Sequence, residues 1–289
     1  MKVGFIGLGN MGLPMAENLF VGGHEVTGFD LNDNVKASFS VLTEIKRVVK
    51  GKDAIITMLP SGREVADVHS KIIPECSKGT VMVDCSTVDI KSARFVAGLA
   101  KDSDFLSLDA PVSGGVVGAE EGALTFMVGG DEAGFEMVKP LFDLMGKKAV
   151  YCGISGSGQA AKICNNMILG VSMIGVCEAF ALADKIGLDR QKMFEVSSNS
   201  SGQCWSLNTY CPAPGVGPKA PSDNEYLPGF AAELMAKDLM LAQAAALQEK
   251  VYTPLGEHAS TIYQDFLENG GLGKDFSAIL PFFKEKNRP

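Results

Sequence analysis

Two groups of residues in this sequence have the types and spacing that chemistry on a small molecule needs. The first is the run Gly7-Leu8-Gly9-Asn10-Met11-Gly12, followed by an acid at Asp30. The second is the pair Lys162 and Asn166, which share one face if their segment is a helix. A glycine run with a downstream acid is typical of a nucleotide-binding turn, and a lysine can exchange a proton with a bound substrate.

The glycine run has the flanking sequence that a dinucleotide-binding turn requires. Apolar residues 3–6 predict a buried strand before the run, and residues 13–19 predict a helix after it. Gly7 permits the tight turn, Gly9 leaves room for a pyrophosphate, and Gly12 allows the helix to pack closely on the strand. We expect the phosphates at the N-terminus of the helix, where unpaired N–H groups and the dipole favour negative charge.

Asp30 follows a second apolar strand at residues 25–29, about 20 residues after the glycines, where such folds bind the adenosine ribose. A carboxylate there accepts hydrogen bonds from the ribose diol and repels a 2′-phosphate. No Arg or Lys lies between Asp30 and Lys36 to bind that phosphate, so we predict NAD rather than NADP. The alternative is a turn aspartate that only caps the next element, because residues 31–34 are rich in turn-forming types.

The composition limits the class of protein. The chain has 289 residues, enough for two domains, and its net charge of −8 argues against nucleic acid or an anionic membrane as a partner. No run of about 18 continuous apolar residues is present, so we expect no membrane span. Seven cysteines without a CxxC pair favour reduced thiols, and three histidines without ligand spacing predict no metal site. Because the first strand begins at residue 2 or 3, we expect either no presequence or one already removed.

The order of elements predicts an α/β domain followed by an all-α domain. Apolar runs alternate with helical segments up to residue 158, which predicts a Rossmann-type, doubly wound and mostly parallel sheet. An apolar stripe over residues 159–186 then predicts a long helix that joins the domains. We therefore expect a dinucleotide-binding domain at 1–158 and an all-α domain at 159–289. Residues 200–228 are long for a loop without structure, so we interpret them as functional or packed against a partner.

Three polar loops follow predicted strands, at the edge of the sheet where ligands bind in such folds. They are Leu59-Pro60, Ser86-Thr87 and Ser113-Gly114-Gly115. The hydroxyl of Ser113 and the bare N–H groups of the two glycines can hold a carboxylate. A plain strand-to-loop turn is the alternative for this last loop.

Lys162 lies in the predicted first turn of the long helix, where the dipole disfavours its charge and so favours proton transfer. The alternative is a surface lysine with a solvated ammonium group. Asn166 can donate to a substrate oxygen, or it can be a satisfied polar residue in a domain interface. Lys237, in an apolar helix, either extends to solvent or lines a site. Trp205, the single tryptophan, is either a core anchor or an apolar wall for a small substrate.

Together these motifs resemble the β-hydroxyacid dehydrogenases, and within them the 3-hydroxyisobutyrate dehydrogenase family, over essentially the whole chain. The resemblance rests on residues 4–12 (GFIGLGNMG), 56–60 (ITMLP), 109–115 (DAPVSGG), 158–167 (GQAAKICNNM), 204–206 (CWS), 234–239 (LMAKDL) and 274–277 (KDFS). Several separated motifs in the right order are far more specific than any one of them. The segment between Asp30 and Ala54 is shorter than the family leads us to expect.

The resemblance implies NAD-dependent oxidation of a small 3-hydroxy acid, 3-hydroxyisobutyrate, to methylmalonate semialdehyde in valine catabolism. It implies a homodimer or homotetramer formed through the helical half. It also implies the mitochondrial matrix for a eukaryotic protein and the cytoplasm for a bacterial one. The expected roles are proton transfer for Lys162, substrate orientation for Asn166, carboxylate binding for Ser113, Gly114 and Gly115, a substrate-pocket position for Trp205, and cofactor contact for Leu59, Pro60, Thr87 and Lys237.

Two other functions remain open for this sequence. One is an NAD(P)-dependent reductase of another semialdehyde, namely tartronate, glyoxylate or succinate semialdehyde. The other is a non-catalytic nucleotide-binding scaffold on the same fold, since fold alone does not determine function. The pair Lys162 and Asn166 argues against the scaffold, and the apolar Trp205 favours 3-hydroxyisobutyrate over the other substrates.

Overall fold

The computed structural model describes residues 1–286 of the chain, which form two compact units. The N-terminal unit spans Met1–Lys162, and the C-terminal unit begins at Ile163. The predicted class, a Rossmann-type sheet followed by a helical part, is confirmed.

Within residues 1–286, nine strands form one sheet in the N-terminal unit. They are β1 (Lys2–Ile6), β2 (Glu25–Phe29), β3 (Ser40–Val41), β4 (Ala54–Thr57), β5 (Val81–Asp84), β6 (Leu106–Asp109), β7 (Val112–Ser113), β8 (Leu124–Gly130) and β9 (Gly146–Gly153). The order β3-β2-β1-β4-β5-β6 is parallel throughout, as in dinucleotide-binding sheets. β8 pairs antiparallel with β6 and β7 and parallel with β9.

Helices cover both faces of this sheet. They are α1 (Gly12–Val21), α2 (Ile45–Val49), α3 (Gly62–Ile72), α4 (Ile90–Asp102), α5 (Gly115–Glu120) and α6 (Glu132–Met145), with a 3₁₀ turn at Ile73–Glu75. Successive strand residues point to opposite faces, so Ile56 packs in the layer that contains α1 and α6. Its neighbour Ile55 packs in the layer that contains α2 and the end of α3. Burial on both faces explains why these strands are continuous apolar runs.

The C-terminal unit is helical in the part of the chain that the structure describes. Its elements are α7 (Ser157–Ile186, which begins in the N-terminal unit), α8 (Arg190–Ser198), α9 (Trp205–Asn208), α10 (Ala232–Glu249), α11 (Pro254–Phe266) and α12 (Ile279–Lys286), with short 3₁₀ or π turns at Pro221–Asp223, Leu267–Gly271 and Phe276–Ala278. The core is built from fully buried aromatic side chains, including Phe180, Tyr263 and Phe276.

Among residues 1–286, α7 is the one helix whose length and composition would allow it to cross a membrane. The sequence predicted no such span. Half of its apolar window is buried within the protein. Met173, Cys177 and Phe180 of this helix are fully buried in the core of the C-terminal unit. A core helix passes the same test, and this packing accounts for the hydropathy of α7.

Three local predictions differ from the structure. β3 and β7 were not predicted, because two-residue strands carry no periodic pattern. Ser113 therefore lies in a short strand rather than in a loop. Residues 200–228 contain α9 and a 3₁₀ turn, and Leu207, Cys211 and Val216 from this segment are buried in the core of their own unit.

Asp275 connects several parts of the C-terminal unit through one buried carboxylate. Its Oδ2 accepts hydrogen bonds from the Tyr210 hydroxyl at 2.9 Å and from the backbone N–H groups of Gly229 and Phe230 at 3.0 Å each. Its Oδ1 accepts from the Ser277 hydroxyl at 2.6 Å and the Ser277 N–H at 3.0 Å. Asp275 is fully buried, so these donors supply the solvation that its charge has lost.

We predict that Asp275→Asn strongly destabilises the C-terminal unit. The amide nitrogen of the new asparagine would face hydrogen-bond donors where a carboxylate oxygen now accepts from them. The free energy of unfolding should fall by about 3–5 kcal/mol, because hydrogen bonds to a buried charge are lost. Urea denaturation measures this loss. Glu249→Gln removes the same charge from an exposed position and should change the free energy by less than about 0.5 kcal/mol. Equal midpoints for the two variants would contradict the prediction.

Candidate active site

The glycine run lies between β1 and α1, where backbone atoms pack too closely for a side chain. A Cβ on Gly7, whose φ is +95°, would lie 2.2 Å from the Met58 carbonyl oxygen. A Cβ on Gly12 would lie 1.9 Å from the Gly7 oxygen, so helix and turn pack closely as predicted. A Cβ on Gly9 would meet nothing within 4 Å, which leaves its backbone open to a ligand.

The N-terminus of α1 fits a phosphate group. Met11 is the N-cap residue and makes no side-chain hydrogen bond to the helix, and the first turn contains no acidic residue. Asn10 is exposed, whereas Leu8 is buried in the core. An uncapped helix start with no acidic residue in its first turn suits an anion.

Asp30 both caps its own turn and binds the glycine run. Its Oδ1 accepts from the Asn32 N–H at 2.8 Å, and its Oδ2 accepts from the Leu8 N–H at 2.7 Å. The turn-capping alternative is therefore observed, and ribose binding by Asp30 stays a prediction. An ionised carboxylate offers about four acceptor positions, so capacity remains for a ribose diol.

The loops after β4 and β5 are bonded to each other. The Leu59 N–H donates to the Ser86 hydroxyl oxygen at 2.8 Å. Pro60 is exposed and Thr87 is half-buried. Both loops follow the carboxyl ends of neighbouring parallel strands, which is where the sequence analysis expected cofactor contacts.

Beneath these loops lies a buried polar cluster of Thr57, His69, Asp84 and Ser86. Asp84 Oδ1 accepts from the Thr57 hydroxyl at 2.7 Å and from the Ser86 hydroxyl at 2.6 Å. Burial, opposed by these hydrogen bonds, raises the pKa of Asp84 to about 6. His69 Nε2 lies 3.2 Å from Thr57 Oγ1, its Nδ1 has no hydrogen-bond partner, and burial lowers its pKa to about 4.

Asp109, the last residue of β6, caps the start of α7. Its carboxylate accepts from the Gly156 N–H at 2.7 Å and from the Gln159 N–H at 2.9 Å, and the Gly158 N–H also donates to Asp109. Burial raises the pKa of Asp109, and these hydrogen bonds oppose that rise. A Cβ on Gly158 would lie 2.4 Å from the carbonyl oxygens of Asp109 and Met127, so the helix begins in direct contact with the sheet.

Lys162 is buried, with only 6% of its surface exposed, so it is not a solvated surface lysine. Since α7 begins at Ser157, Lys162 lies in the second turn rather than in the predicted first turn. The dipole effect is weaker there, because it decreases beyond the first turn. Burial, rather than position in the dipole, is what distinguishes this amine from an ordinary lysine.

The loop predicted to bind a carboxylate lies between β7 and α5. Ser113 pairs with Thr125 of β8 and is half-buried. Gly114 is exposed and caps α5, and Gly115 is the first residue of that short helix. The exposed backbone is compatible with the predicted role, which stays a prediction.

The remaining predicted residues lie in the C-terminal unit. Asn166, 1% exposed, donates from its amide to Asp238 of α10. Lys237, beside Asp238, is half-buried. Trp205 is 50% exposed and stacks on Tyr210 with ring centroids 4.8 Å apart, so it is not a core anchor. The roles of Asn166, Lys237 and Trp205 toward ligands stay predictions.

Comparison with known proteins identifies the family. Residues 2–153 match the NAD-binding domain model of 6-phosphogluconate dehydrogenase, and residues 156–283 match the model for NADP-dependent 3-hydroxyisobutyrate dehydrogenase. The mitochondrial 3-hydroxyisobutyrate dehydrogenase of Mus musculus is 43% identical over 98% of this chain and 87% of its own length. The chain belongs to the 3-hydroxyisobutyrate dehydrogenase family. It is therefore an NAD-dependent hydroxyacid dehydrogenase, which confirms the cofactor predicted from the glycine run and Asp30 and the activity implied by the resemblance.

Members of this family have been named for more than one substrate. The structure of 3-hydroxyisobutyrate dehydrogenase from Mycobacterium tuberculosis with L-serine has a TM-score of 0.95 to this chain and 41% identity, over 98% of this chain and 99% of the other. An NAD-dependent L-serine dehydrogenase from Pseudomonas aeruginosa is 41% identical over 98% of this chain and 97% of its own. Family membership alone therefore leaves the hydroxy acid to be determined.

Sequence reasoning missed the residues that fix the site in place. Asp84, Asp109 and Gln159 were not proposed as functional, yet each binds the loops or the helix that carry predicted site residues. A usable signal was present for the two acids, because each ends an apolar strand at the ligand-binding edge. Gln159 gave no signal, since glutamine is common on exposed helix faces.

The buried cluster has opposing effects on stability. The folded pKa of Asp84 is above its ordinary value of 3.8, so its contribution to stability is complete below 3.8 and is lost as the pH rises through about 6. The folded pKa of His69 is below its ordinary value of 6.5, so its contribution is complete above 6.5 and is lost as the pH falls toward about 4. Between these limits the two contributions change in opposite directions.

We predict opposite pH dependences for Asp84→Asn and His69→Asn. As the pH falls from 6.5 to 4, the free energy of unfolding relative to wild type should decrease for Asp84→Asn and increase for His69→Asn. Each slope can reach at most about 1.4 kcal/mol per pH unit. Urea denaturation at a series of pH values measures the slopes, with the exposed Asp102→Asn as the charge control. Slopes of the same sign would show that this account of the cluster is wrong.

Proposed function

We propose that this enzyme oxidises 3-hydroxyisobutyrate to methylmalonate semialdehyde with NAD, a reaction of valine catabolism. The observation that carries the proposal is the buried amine of Lys162 on the first turns of α7. Asp109 binds the start of this helix to the carboxyl end of β6, the edge of the sheet where dinucleotides bind. The amine is therefore in the same unit as the glycine run and Asp30.

The residues of the N-terminal unit fit a dinucleotide. The open backbone at Gly9 and the uncapped start of α1 suit the pyrophosphate, and Asp30 suits the ribose diol. When bound, NAD accepts a hydride from the alcohol carbon. The negative charge of Asp30 disfavours a 2′-phosphate, which supports NAD over NADP.

Lys162 supplies the other half of the oxidation. As the hydride leaves the carbon, the neutral amine accepts the hydroxyl proton, so that the C–O bond becomes a carbonyl and Lys162 becomes an ammonium. In the reverse direction the ammonium donates to the aldehyde oxygen.

Ser113, Gly114 and Gly115 are proposed to bind the substrate carboxylate through the Ser113 hydroxyl and the backbone N–H groups of the two glycines. Asn166, one helical turn beyond Lys162 on α7, is proposed to orient the substrate. The side-chain amide nitrogen of Asn166 carries two hydrogens, and Asp238 accepts one of them. The second hydrogen is the one proposed to donate to the substrate.

L-Serine is a second candidate substrate, favoured by one relative that is named for it and by the structure of another relative with L-serine. Both acids have a primary alcohol at C3 and a carboxylate, and they differ at C2, where one has a methyl group and the other an ammonium. An apolar wall favours the methyl group, whereas an ammonium needs acceptors to replace its water. The resemblance implies a substrate-pocket position for Trp205, and its apolar ring would favour the methyl-bearing substrate.

We predict that the purified enzyme turns over 3-hydroxyisobutyrate with NAD more efficiently than L-serine, glycerate, 3-hydroxypropionate or 4-hydroxybutyrate. A pocket shaped for the methyl group should give kcat/KM at least about tenfold higher than for 3-hydroxypropionate, which lacks that group. NADH absorbance measures turnover, and NADP in place of NAD tests Asp30. A higher kcat/KM for L-serine would move the assignment to the second candidate.

We predict that Lys162→Ala loses most of kcat, by a factor of about 100 to 10,000, because general acid–base catalysis has this magnitude. The Kd for NAD, measured by calorimetry, should stay near the wild-type value. Lys185→Ala is the matched control, since Lys185 is an exposed lysine in the last turn of the same helix. Comparable turnover by Lys162→Ala and Lys185→Ala would disprove the role of Lys162.

A further inference from the structure

Gln159 is a fully buried polar side chain in the first turn of α7, and both ends of its amide are bonded to one loop. Its Oε1 accepts from the Val88 N–H at 3.1 Å, and its Nε2 donates to the Ser86 carbonyl oxygen at 2.8 Å. The loop between these partners contains Thr87. A buried amide with two backbone partners fixes the distance between helix and loop, because breaking either bond would leave a buried polar group unsatisfied.

The contact extends to a second loop through Ser86. The Ser86 hydroxyl accepts from the Leu59 N–H at 2.8 Å and donates to Asp84 Oδ1 at 2.6 Å. The loops after β4 and β5 are therefore connected to α7 by one continuous series of hydrogen bonds. These are the loops at which the dinucleotide is expected to make contacts beyond the glycine run.

Gln159 and Lys162 are three residues apart in α7, so their side chains project from the same face of the helix. The backbone N–H of Gln159 is bound by Asp109, which fixes the rotation of this turn relative to β6. The side chain that binds the loop and the amine that exchanges the proton are thus one turn apart on a fixed segment.

We propose that Gln159 is a positioning residue for the oxidation, which sets the position of Lys162 relative to the loops that contact the cofactor. This inference rests on the proposed role of Lys162. Proton transfer and hydride transfer act on the same alcohol group, so the amine and the cofactor must be placed together. A displacement of about 1 Å is enough to reduce catalysis about 100-fold.

The first test is the kinetics of Gln159→Ala with the hydroxy acid that the wild-type enzyme oxidises fastest. We expect kcat to fall by about 10- to 100-fold, while KM for the acid and Kd for NAD change by less than about threefold. The deuterium isotope effect with substrate labelled at the alcohol carbon should rise, because hydride transfer becomes rate-limiting. Gln191→Ala, at an exposed glutamine of α8, should leave all of these values unchanged.

Gln159→Glu tests the same contact within one folded protein. The protonated side chain can still donate to the Ser86 oxygen, whereas the ionised side chain cannot. The ratio of its kcat to that of wild type should therefore fall at least fivefold as the pH rises, which corresponds to about one lost hydrogen bond. The ratio should recover when the pH is lowered. The charged and titratable groups near this contact include Asp109 of β6, Asp84 of β5, His69 of α3 and Lys162 of α7. Asp89 lies beside Val88, and Arg94 of α4 donates to the Ser155 oxygen. The ratio to wild type removes the titrations of these groups.

Hydrogen exchange of the enzyme without NAD gives a measurement that does not depend on turnover. In Gln159→Ala, the amides of residues 86–90 and 156–163 should exchange faster together, and in Gln191→Ala they should not.

Two results for Gln159→Ala would overturn the proposal. One is a kcat and an isotope effect that both lie within twofold of the wild-type values. The other is a lower melting temperature without a change in kcat per folded molecule. Lys162→Ala separates the two levels. If it retains turnover, the proposed role of Lys162 fails, and the positioning role fails with it. If it is inactive while Gln159→Ala is normal, only the positioning role fails.

Discussion

The carboxylate of Asp109 is the interaction on which the candidate active site depends. Asp109 is the last residue of β6, and its carboxylate accepts hydrogen bonds from backbone N–H groups at the start of α7. The strand and the helix therefore meet at one buried side chain. Burial raises the pKa of this group because desolvation penalises its charged form, and the hydrogen bonds from the helix N–H groups oppose that rise. Lys162 is buried on the helix that begins at this carboxylate.

Strand order explains why the other site residues are near this edge. In a parallel sheet all carboxyl ends point the same way, so the turns after β1, β2, β4 and β5 lie side by side. The glycine run, Asp30, Leu59 and Thr87 each follow one of these strands. The hydrogen bonds of Ser86, Asp84 and Gln159 then connect neighbouring turns that chain topology alone would leave independent.

The sequence was sufficient for features that depend on local pattern. The glycine run, the apolar strands and the long helix follow from periodicity and from residue types with a single physical use. It was insufficient where partners are distant in the chain: Gln159 binds a loop 71 residues earlier, and nothing local distinguishes it from a surface glutamine. The burial of Lys162 and the cluster around Asp84 and His69 also depend on elements far apart in the chain. β3 and β7 are too short for any pattern to appear.

The close contact at Gly158 has an evolutionary consequence. Any side chain there would meet two carbonyl oxygens at 2.4 Å, so the start of α7 offers almost no room for substitution. Substitutions that change the function of the enzyme must therefore occur at other positions. A lineage can acquire a new substrate by altering residues elsewhere, while the start of α7 is inherited intact. Relatives of similar identity that are named for 3-hydroxyisobutyrate and for L-serine are consistent with such modular divergence.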